Sequence, residues 1–150
     1  MKYTIELPLP PKACSPNASV VWQRRANARR NYRTECKMLY RAHLWSFAQQ
    51  ADALAAKGSR GHFLCPNGVT LSYEFFQAQK AFKDGRARFR DADNALAAMK
   101  AAQDALMDAC IISCDSAEIA QIGRVIVHSP AKSNGRTCVV LTIEPMEASR

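Results

Sequence analysis

Two aspartates stand one residue apart in the stretch RFRDADNALAAMK, at positions 91 and 93, directly behind several arginines. A third acid, Asp115, follows in the segment ISCDSAEI. In an extended segment, residues two apart point to the same side, so Asp91 and Asp93 can present both carboxylates to one point. If Asp115 returns to the same end of the fold, the three carboxylates form a hard oxygen site suited to Mg²⁺ or Mn²⁺. Such a metal activates water and stabilises the charge that develops at a phosphodiester.

The same acids have a purely structural interpretation, in which Asp93 and Asn94 cap a helix and Asp91 pairs with a neighbouring arginine. A helix that begins near Asp93 places Lys100 seven residues on and Asp104 eleven residues on, so all three share a narrow stripe. Lys100 then either meets a scissile phosphate on the face that carries the acids or is an ordinary exposed helix lysine. The residues alone leave both interpretations open.

The charge balance indicates a polyanionic partner. The chain has 150 residues, with 21 Lys and Arg against 13 Asp and Glu and a net charge of +8. This excess is typical of nucleic-acid-binding proteins, although some cationic proteins share it. The cations concentrate at the start of the first predicted helix and in a polar stretch at residues 77–90. The candidate DNA-binding residues are Arg24, Arg25, Arg29, Arg30, Arg33, Lys80, Lys83, Arg86, Arg88 and Arg90.

Three aromatic residues, Trp22, Tyr32 and Phe89, are interleaved with these cations. They either pack beneath the arginines, which is the more common arrangement, or stack on unpaired bases at a DNA branch point. Four further aromatic residues are assigned to the core or to a dimer interface: Trp45, Phe47, Phe75 and Phe76.

The length and the 48% hydrophobic content predict one domain with a real core. No run of about 18 apolar residues occurs, and the N-terminus is too short and too alternating for a signal peptide. Both observations predict a cytoplasmic protein.

The six cysteines include no C-x-x-C pair, which predicts reduced thiols packed mostly as small hydrophobic side chains and argues against a zinc site.

Hydrophobic periodicity predicts a mixed α+β fold in the α/β group, with two main helices on a small mixed sheet in the order β-α-β-α-β-β. A proline-rich loop follows the first strand. Asp91 or Asp93 is suited to cap the second helix, and Asn134-Gly135 marks a turn between the last two strands. The predicted strands are residues 2–8, 69–76, 119–127 and 137–144, and the predicted helices are residues 27–57, ended by Gly58, and 94–109.

Two segments resemble the RusA-type Holliday junction resolvases, particularly their phage and prophage members. LPLPPKACSPNASVVW resembles the first strand, proline-rich loop and Ser-Pro-Asn segment of that family, and ARRNYR resembles the basic start of its long helix. RDADN, with Lys100 and the following Asp104-Ala105-Leu106, resembles its catalytic segment. The resemblance runs from about Leu7 to about Val127, so it covers most of the chain.

The resemblance implies that Asp91, Asp93 and Asp115 bind Mg²⁺ and that Lys100 is the essential lysine, with Asn94 and Asp104 in supporting positions. It implies a small mixed α/β domain that forms a homodimer. The two sites of that dimer would nick opposing strands of a four-way DNA junction, in recombination and repair within a bacterial cytoplasm. Phage or prophage origin is also an implication of the resemblance.

The chain departs from the family at two places. In some members the lysine stands three residues closer to the asparagine, at the position of Ala97, and an acidic pair often stands where this chain has Cys114-Asp115. Two alternatives stay open, the first because no residue excludes it and the second because of Cys114. One is a nuclease that acts on flaps, forks or other branched DNA, and the other is a DNA-binding protein that has kept the fold without cleavage.

Overall fold

The computed structural model describes residues 2–44, 63–78, 89 and 91–147. In these residues a four-stranded mixed sheet carries three α-helices, which confirms the mixed α+β class. None of the helices in this part of the chain is long and apolar enough to cross a membrane. The strands are β1 Tyr3–Leu7, β2 Val69–Gln77, β3 Ala120–Val127 and β4 Thr137–Pro145, and the helices are α1 Trp22–His43, α2 Ala92–Ala98 and α3 Lys100–Asp108.

All four strands lie within one residue of their predicted bounds. The first helix does not, because α1 begins at Trp22, five residues before the predicted start. Val21 precedes it in an extended conformation and makes no side-chain capping bond, so the sequence carries no signal for this start. The predicted end at Gly58 is also wrong for α1, which ends at His43 where Leu44 leaves the helical conformation. Residues 45–62 lie outside the described part of the chain.

The second predicted helix is divided in two at Met99. This residue has φ −84° and ψ 0°, and it separates α2 from α3. Met99 is fully buried, and its sulfur accepts a hydrogen bond from Tyr32 Oη at 3.5 Å. The division therefore coincides with the point at which α1 packs on the second helical segment.

The strands lie in the order β1-β4-β2-β3. β2 pairs with β3 in parallel and with β4 in antiparallel orientation, while β1 pairs only with β4 in this sheet. Parallel neighbours need a crossover connection, and α2 and α3 lie within the one that joins β2 to β3. Asn134 and Gly135 form the predicted turn, with φ of 50° and 74°. This turn does not make a hairpin, because β2 lies between β3 and β4.

One face of the sheet forms the core. Alternate residues of β2 and β4 are almost fully buried, and α1 and α3 pack on this face. Tyr40 Oη donates to Ala102 O at 3.0 Å, and the small side chains of α3 allow this close approach between the helices. The six cysteines carry free thiols. Their predicted packing as small hydrophobic side chains is confirmed for the buried Cys14, Cys36, Cys65 and Cys138.

Candidate active site

Asp91 is the N-cap of α2. Its backbone is extended, its Oδ1 accepts from Asn94 N at 2.9 Å, and its Oδ2 accepts from Asn94 Nδ2 at 2.9 Å. Asp93 lies in the first helical turn, where a negative charge is favourable. The extended geometry predicted for both acids holds for Asp91 alone, because α2 begins at Ala92. The two carboxylates are therefore not related as alternate residues of a strand.

The proline-rich loop reaches this cap through Asn17. Asn17 Nδ2 donates to Asn94 Oδ1 at 3.2 Å, across 77 residues of sequence. Because Asn94 Oδ1 accepts from Asn17, the amide nitrogen of Asn94 faces Asp91. Sequence reasoning singled out the Ser-Pro-Asn segment for its resemblance but assigned no contact to Asn17.

Gln77 fixes the chain just before Asp91. Its side chain is fully buried, its Oε1 accepts from Phe89 N at 2.9 Å, and its Nε2 donates to Phe89 O at 2.7 Å and to His128 O at 2.9 Å. Gln77 N also donates to Ser133 Oγ at 2.8 Å. A polar residue at a position that continues the buried alternation of β2 is the signal that could have identified this role. Through these bonds Gln77 connects Phe89, which lies just before α2, to the ends of β2 and β3.

Lys100 joins α3 to the acid that follows it. Its Nζ contacts Asp115 Oδ2 and lies 3.0 Å from Asp104 Oδ1. The hydrogen bond with Asp115 is the main reason that the pKa of Lys100 is raised, and Asp104 raises it further. The same contact with Lys100 lowers the pKa of Asp115. The structure thus brings together the candidate lysine, one supporting acid and the third candidate metal ligand.

The three candidate metal ligands do not form a shared site in this arrangement. Within the described residues, which include all three, no group of three or more Asp, Glu, His or Cys side chains is placed to hold a metal ion. Asp115 is engaged by Lys100, and both carboxylate oxygens of Asp91 are engaged by Asn94. The donor chemistry suits Mg²⁺, whereas the observed geometry does not assemble the donors.

Arg33, a candidate DNA-binding residue, binds acids of α3. Its Nε and Nη2 donate to the two oxygens of Asp108 at 2.5 and 2.7 Å, and its Nη1 lies 3.7 Å from Asp104. Bidentate pairs of this kind are among the stronger ionic contacts in proteins. Charges therefore alternate from Asp108 through Arg33, Asp104 and Lys100 to Asp115, and this chain of ion pairs links α1 to the candidate site.

Asp108→Asn tests this link through its dependence on pH. Hydrogen bonding from Arg33 lowers the pKa of Asp108, so the pair stabilises the fold above the unfolded-state pKa and loses its effect as pH falls through the folded-state pKa. We expect the variant to lose about 1 kcal/mol of unfolding free energy at pH 7, a value that allows for partial solvent exposure. Urea unfolding at pH 7 and in steps below pH ~4 measures the difference, which should shrink in acid.

The matched control is Glu118→Gln, which removes an exposed acid. It should change the unfolding free energy little at either pH. A deficit in Asp108→Asn that stays constant from neutral to acid pH would contradict the ion-pair explanation.

The other candidate DNA-binding residues of α1 differ in their surroundings. Arg24, Arg29 and Arg30 are exposed, and no carboxylate of the described residues forms an ion pair with them. Arg25 is half-buried and its Nη2 donates to Ala18 O at 2.7 Å. The remaining candidates lie outside the described residues: Lys80, Lys83, Arg86, Arg88 and Arg90.

The interleaved aromatic residues divide into two kinds. Tyr32 and Phe89 are 1% and 2% exposed and belong to the core, as the packing interpretation predicts. Trp22 is 75% exposed, so the packing interpretation is wrong for this residue. Its position at the first residue of α1 places it beyond the part of the helix that covers the sheet.

The described residues thus place a lysine between two carboxylates at one end of a chain of ion pairs, with exposed arginines on the helix at the other end. Such an arrangement can bind phosphates along α1 and present a cation to one of them. No protein-family model and no curated protein sequence matches this chain.

Proposed function

We propose that this protein is a Mg²⁺-dependent, structure-selective endodeoxyribonuclease that resolves four-way DNA junctions by paired, symmetric nicks. The observation that carries the proposal is the contact of Lys100 with Asp115, supported by the contact with Asp104. The resemblance implies a role for each of these three residues, and their side chains meet although Lys100 and Asp115 stand 15 residues apart. A homodimer acting in the cytoplasm of a bacterial host is part of the same proposal.

The surface charge supports a DNA substrate. Arg24, Arg29 and Arg30 project from α1 without an acid partner among the described residues, so their guanidinium groups are available to phosphates. Contacts of this kind position the backbone and carry no sequence information, which suits an enzyme selective for DNA structure. Arg33 contributes to this surface indirectly, because its pairing with Asp108 fixes α1 against α3.

The residues of the site support hydrolysis of a phosphodiester. Lys100 is half-exposed on the surface and carries a positive charge that can stabilise the anionic transition state of a bound phosphate. The carboxylates of Asp91, Asp93 and Asp115 are the donors that Mg²⁺ prefers, and Mn²⁺ accepts the same donors. This donor chemistry, and not an assembled ligand cage, supports the metal requirement.

A second function is favoured by a specific observation. The described residues assemble no group of three metal-ligating side chains, and Cys114 stands where the resembling family often has an acid. Both features suit a DNA-binding protein that keeps the fold and the basic surface without cleavage. A nuclease acting on flaps or replication forks is the third candidate, distinguished only by its substrate.

A panel of synthetic DNA substrates tests the proposal. The protein is incubated with a four-way junction, a flap, a fork and a linear duplex, each in Mg²⁺, in Mn²⁺ and with EDTA. We expect symmetric nicks in the junction that require the metal, and a dimer in light scattering. Faster cleavage of flaps or forks than of the junction would show that the protein is a flap or fork nuclease. Tight junction binding with no cleavage in either metal would contradict the proposed nuclease activity and support the function of a DNA-binding protein.

A further inference from the structure

Trp22 is the most exposed large hydrophobic side chain of the described residues, and the adjacent Val21 is 68% exposed. Indole rings contribute most when they are covered, because they bury a large area and bind well to flat apolar partners. An indole left in water at the start of a basic helix therefore presents a surface suited to a planar ligand.

All charged residues near Trp22 in the sequence are cationic. Between Glu6 and Glu35 the chain contains no acid but six Lys and Arg residues. On α1, Arg25 and Arg29 follow Trp22 at spacings of three and seven residues, which places them along the same side of the helix. A planar partner that also carries negative charge fits this surface, and nucleobases with their phosphates combine both properties.

The backbone beneath Trp22 is held in place. Arg25 Nη2 donates to Ala18 O at 2.7 Å, Val20 N donates to the same oxygen at 3.0 Å, and Arg25 N donates to Val21 O at 3.2 Å. These bonds fix the turn that leads into α1 while the indole itself stays exposed. Binding on this surface consequently requires little ordering of the main chain.

We propose that Trp22 is a stacking platform for an unpaired nucleobase and that the exposed Arg29 contacts a flanking phosphate. This inference rests on the proposed function for the source of the base, because a branch point supplies unpaired bases that a linear duplex lacks. The ligand class is single-stranded DNA, bound by stacking and charge with little preference for sequence.

Tryptophan fluorescence tests the inference directly, since Trp22 and Trp45 are the two tryptophans of the chain. The protein is titrated with a short oligodeoxythymidylate and with a blunt duplex of equal length, in EDTA so that nothing is cut. The single strand should quench the emission, both in the unaltered protein and in a Trp45→Phe variant. Trp22→Phe should abolish the quenching while retaining most of the affinity, because a phenyl ring still stacks.

Trp22→Ala should weaken single-strand binding about tenfold, the lower part of the range for one base stacked on an aromatic ring, and should leave duplex binding nearly unchanged. Circular dichroism checks that each variant is folded. Quenching by the single strand, together with no cleavage in the substrate panel, would support stacking on Trp22 and contradict the proposed nuclease activity. Unchanged single-strand affinity in Trp22→Ala, or an equal loss for duplex, would overturn the inference even if junctions are cleaved. Loss of a dimer in Trp22→Ala would also overturn it, because a second copy would then cover the indole.

Discussion

Lys100→Gln is expected to slow nicking of a four-way junction by about 10²- to 10³-fold, the usual effect of removing one charge-stabilising donor from an active site. The amide is close in length but has no charge to place against the phosphate. Lys100 is half-exposed, so its replacement should leave the fold intact. Single-turnover cleavage with enzyme in excess measures the chemical step, and binding in EDTA measures the affinity separately.

The matched control is Lys132→Gln, which removes one positive charge from an exposed residue that makes no ion pair with the acids of the candidate site. It should lower the affinity slightly and leave the cleavage rate within about threefold, because a general phosphate contact adds only a screened charge. Loss of the Lys100 ammonium should also let the pKa of Asp115 rise towards its ordinary value, which NMR titration can follow. Equal cleavage by the two variants would contradict a catalytic role for Lys100.

Gln77→Leu is expected to lower the unfolding free energy by about 3 kcal/mol. Leucine matches the size of glutamine but leaves Phe89 N, Phe89 O and His128 O without the hydrogen bonds that Gln77 supplies. Each unsatisfied buried group costs about 1–3 kcal/mol, and part of that cost is recovered by local relaxation. Urea unfolding monitored by circular dichroism gives the difference.

Gln121→Leu is the matched control, because it makes the same substitution at an exposed residue of another strand, β3. Its effect should stay within about 0.5 kcal/mol. The folded fraction of Gln77→Leu should also nick junctions more slowly, because the segment that positions Asp91 is no longer fixed. Similar losses of stability in both variants would show that the buried bonds of Gln77 contribute nothing specific.

Local patterns predicted local structure well. The alternation of β2 and β4, the polar start of α2 and the Asn134-Gly135 turn each depend on neighbouring residues, and all appear in the structure. The start of α1 was not predicted correctly from local patterns, because Val21 gives no capping signal. The division at Met99 was also missed, since it coincides with packing against Tyr32 and not with a glycine or proline.

The candidate site was predictable to the extent that its contacts lie within one helix. Lys100 and Asp104 are four residues apart, so their pairing follows from helical geometry. The pairing of Arg33 with Asp108 depends on how two helices pack, and sequence reasoning therefore counted Arg33 among the free cations. Asn17 was missed for the same reason, because its partner is brought near only by the tertiary fold.

The position of β4 in the sheet has a consequence for how this protein is made. β4 follows the other three described strands in sequence, yet it lies between β1 and β2 and is the strand with which β1 pairs. During synthesis on the ribosome, β1 emerges before β4, so its hydrogen bonds with β4 cannot form until β4 has also been made. Premature termination before Thr137 would release a fragment with unpaired edges on both β1 and β2, which is a substrate for proteases and aggregation.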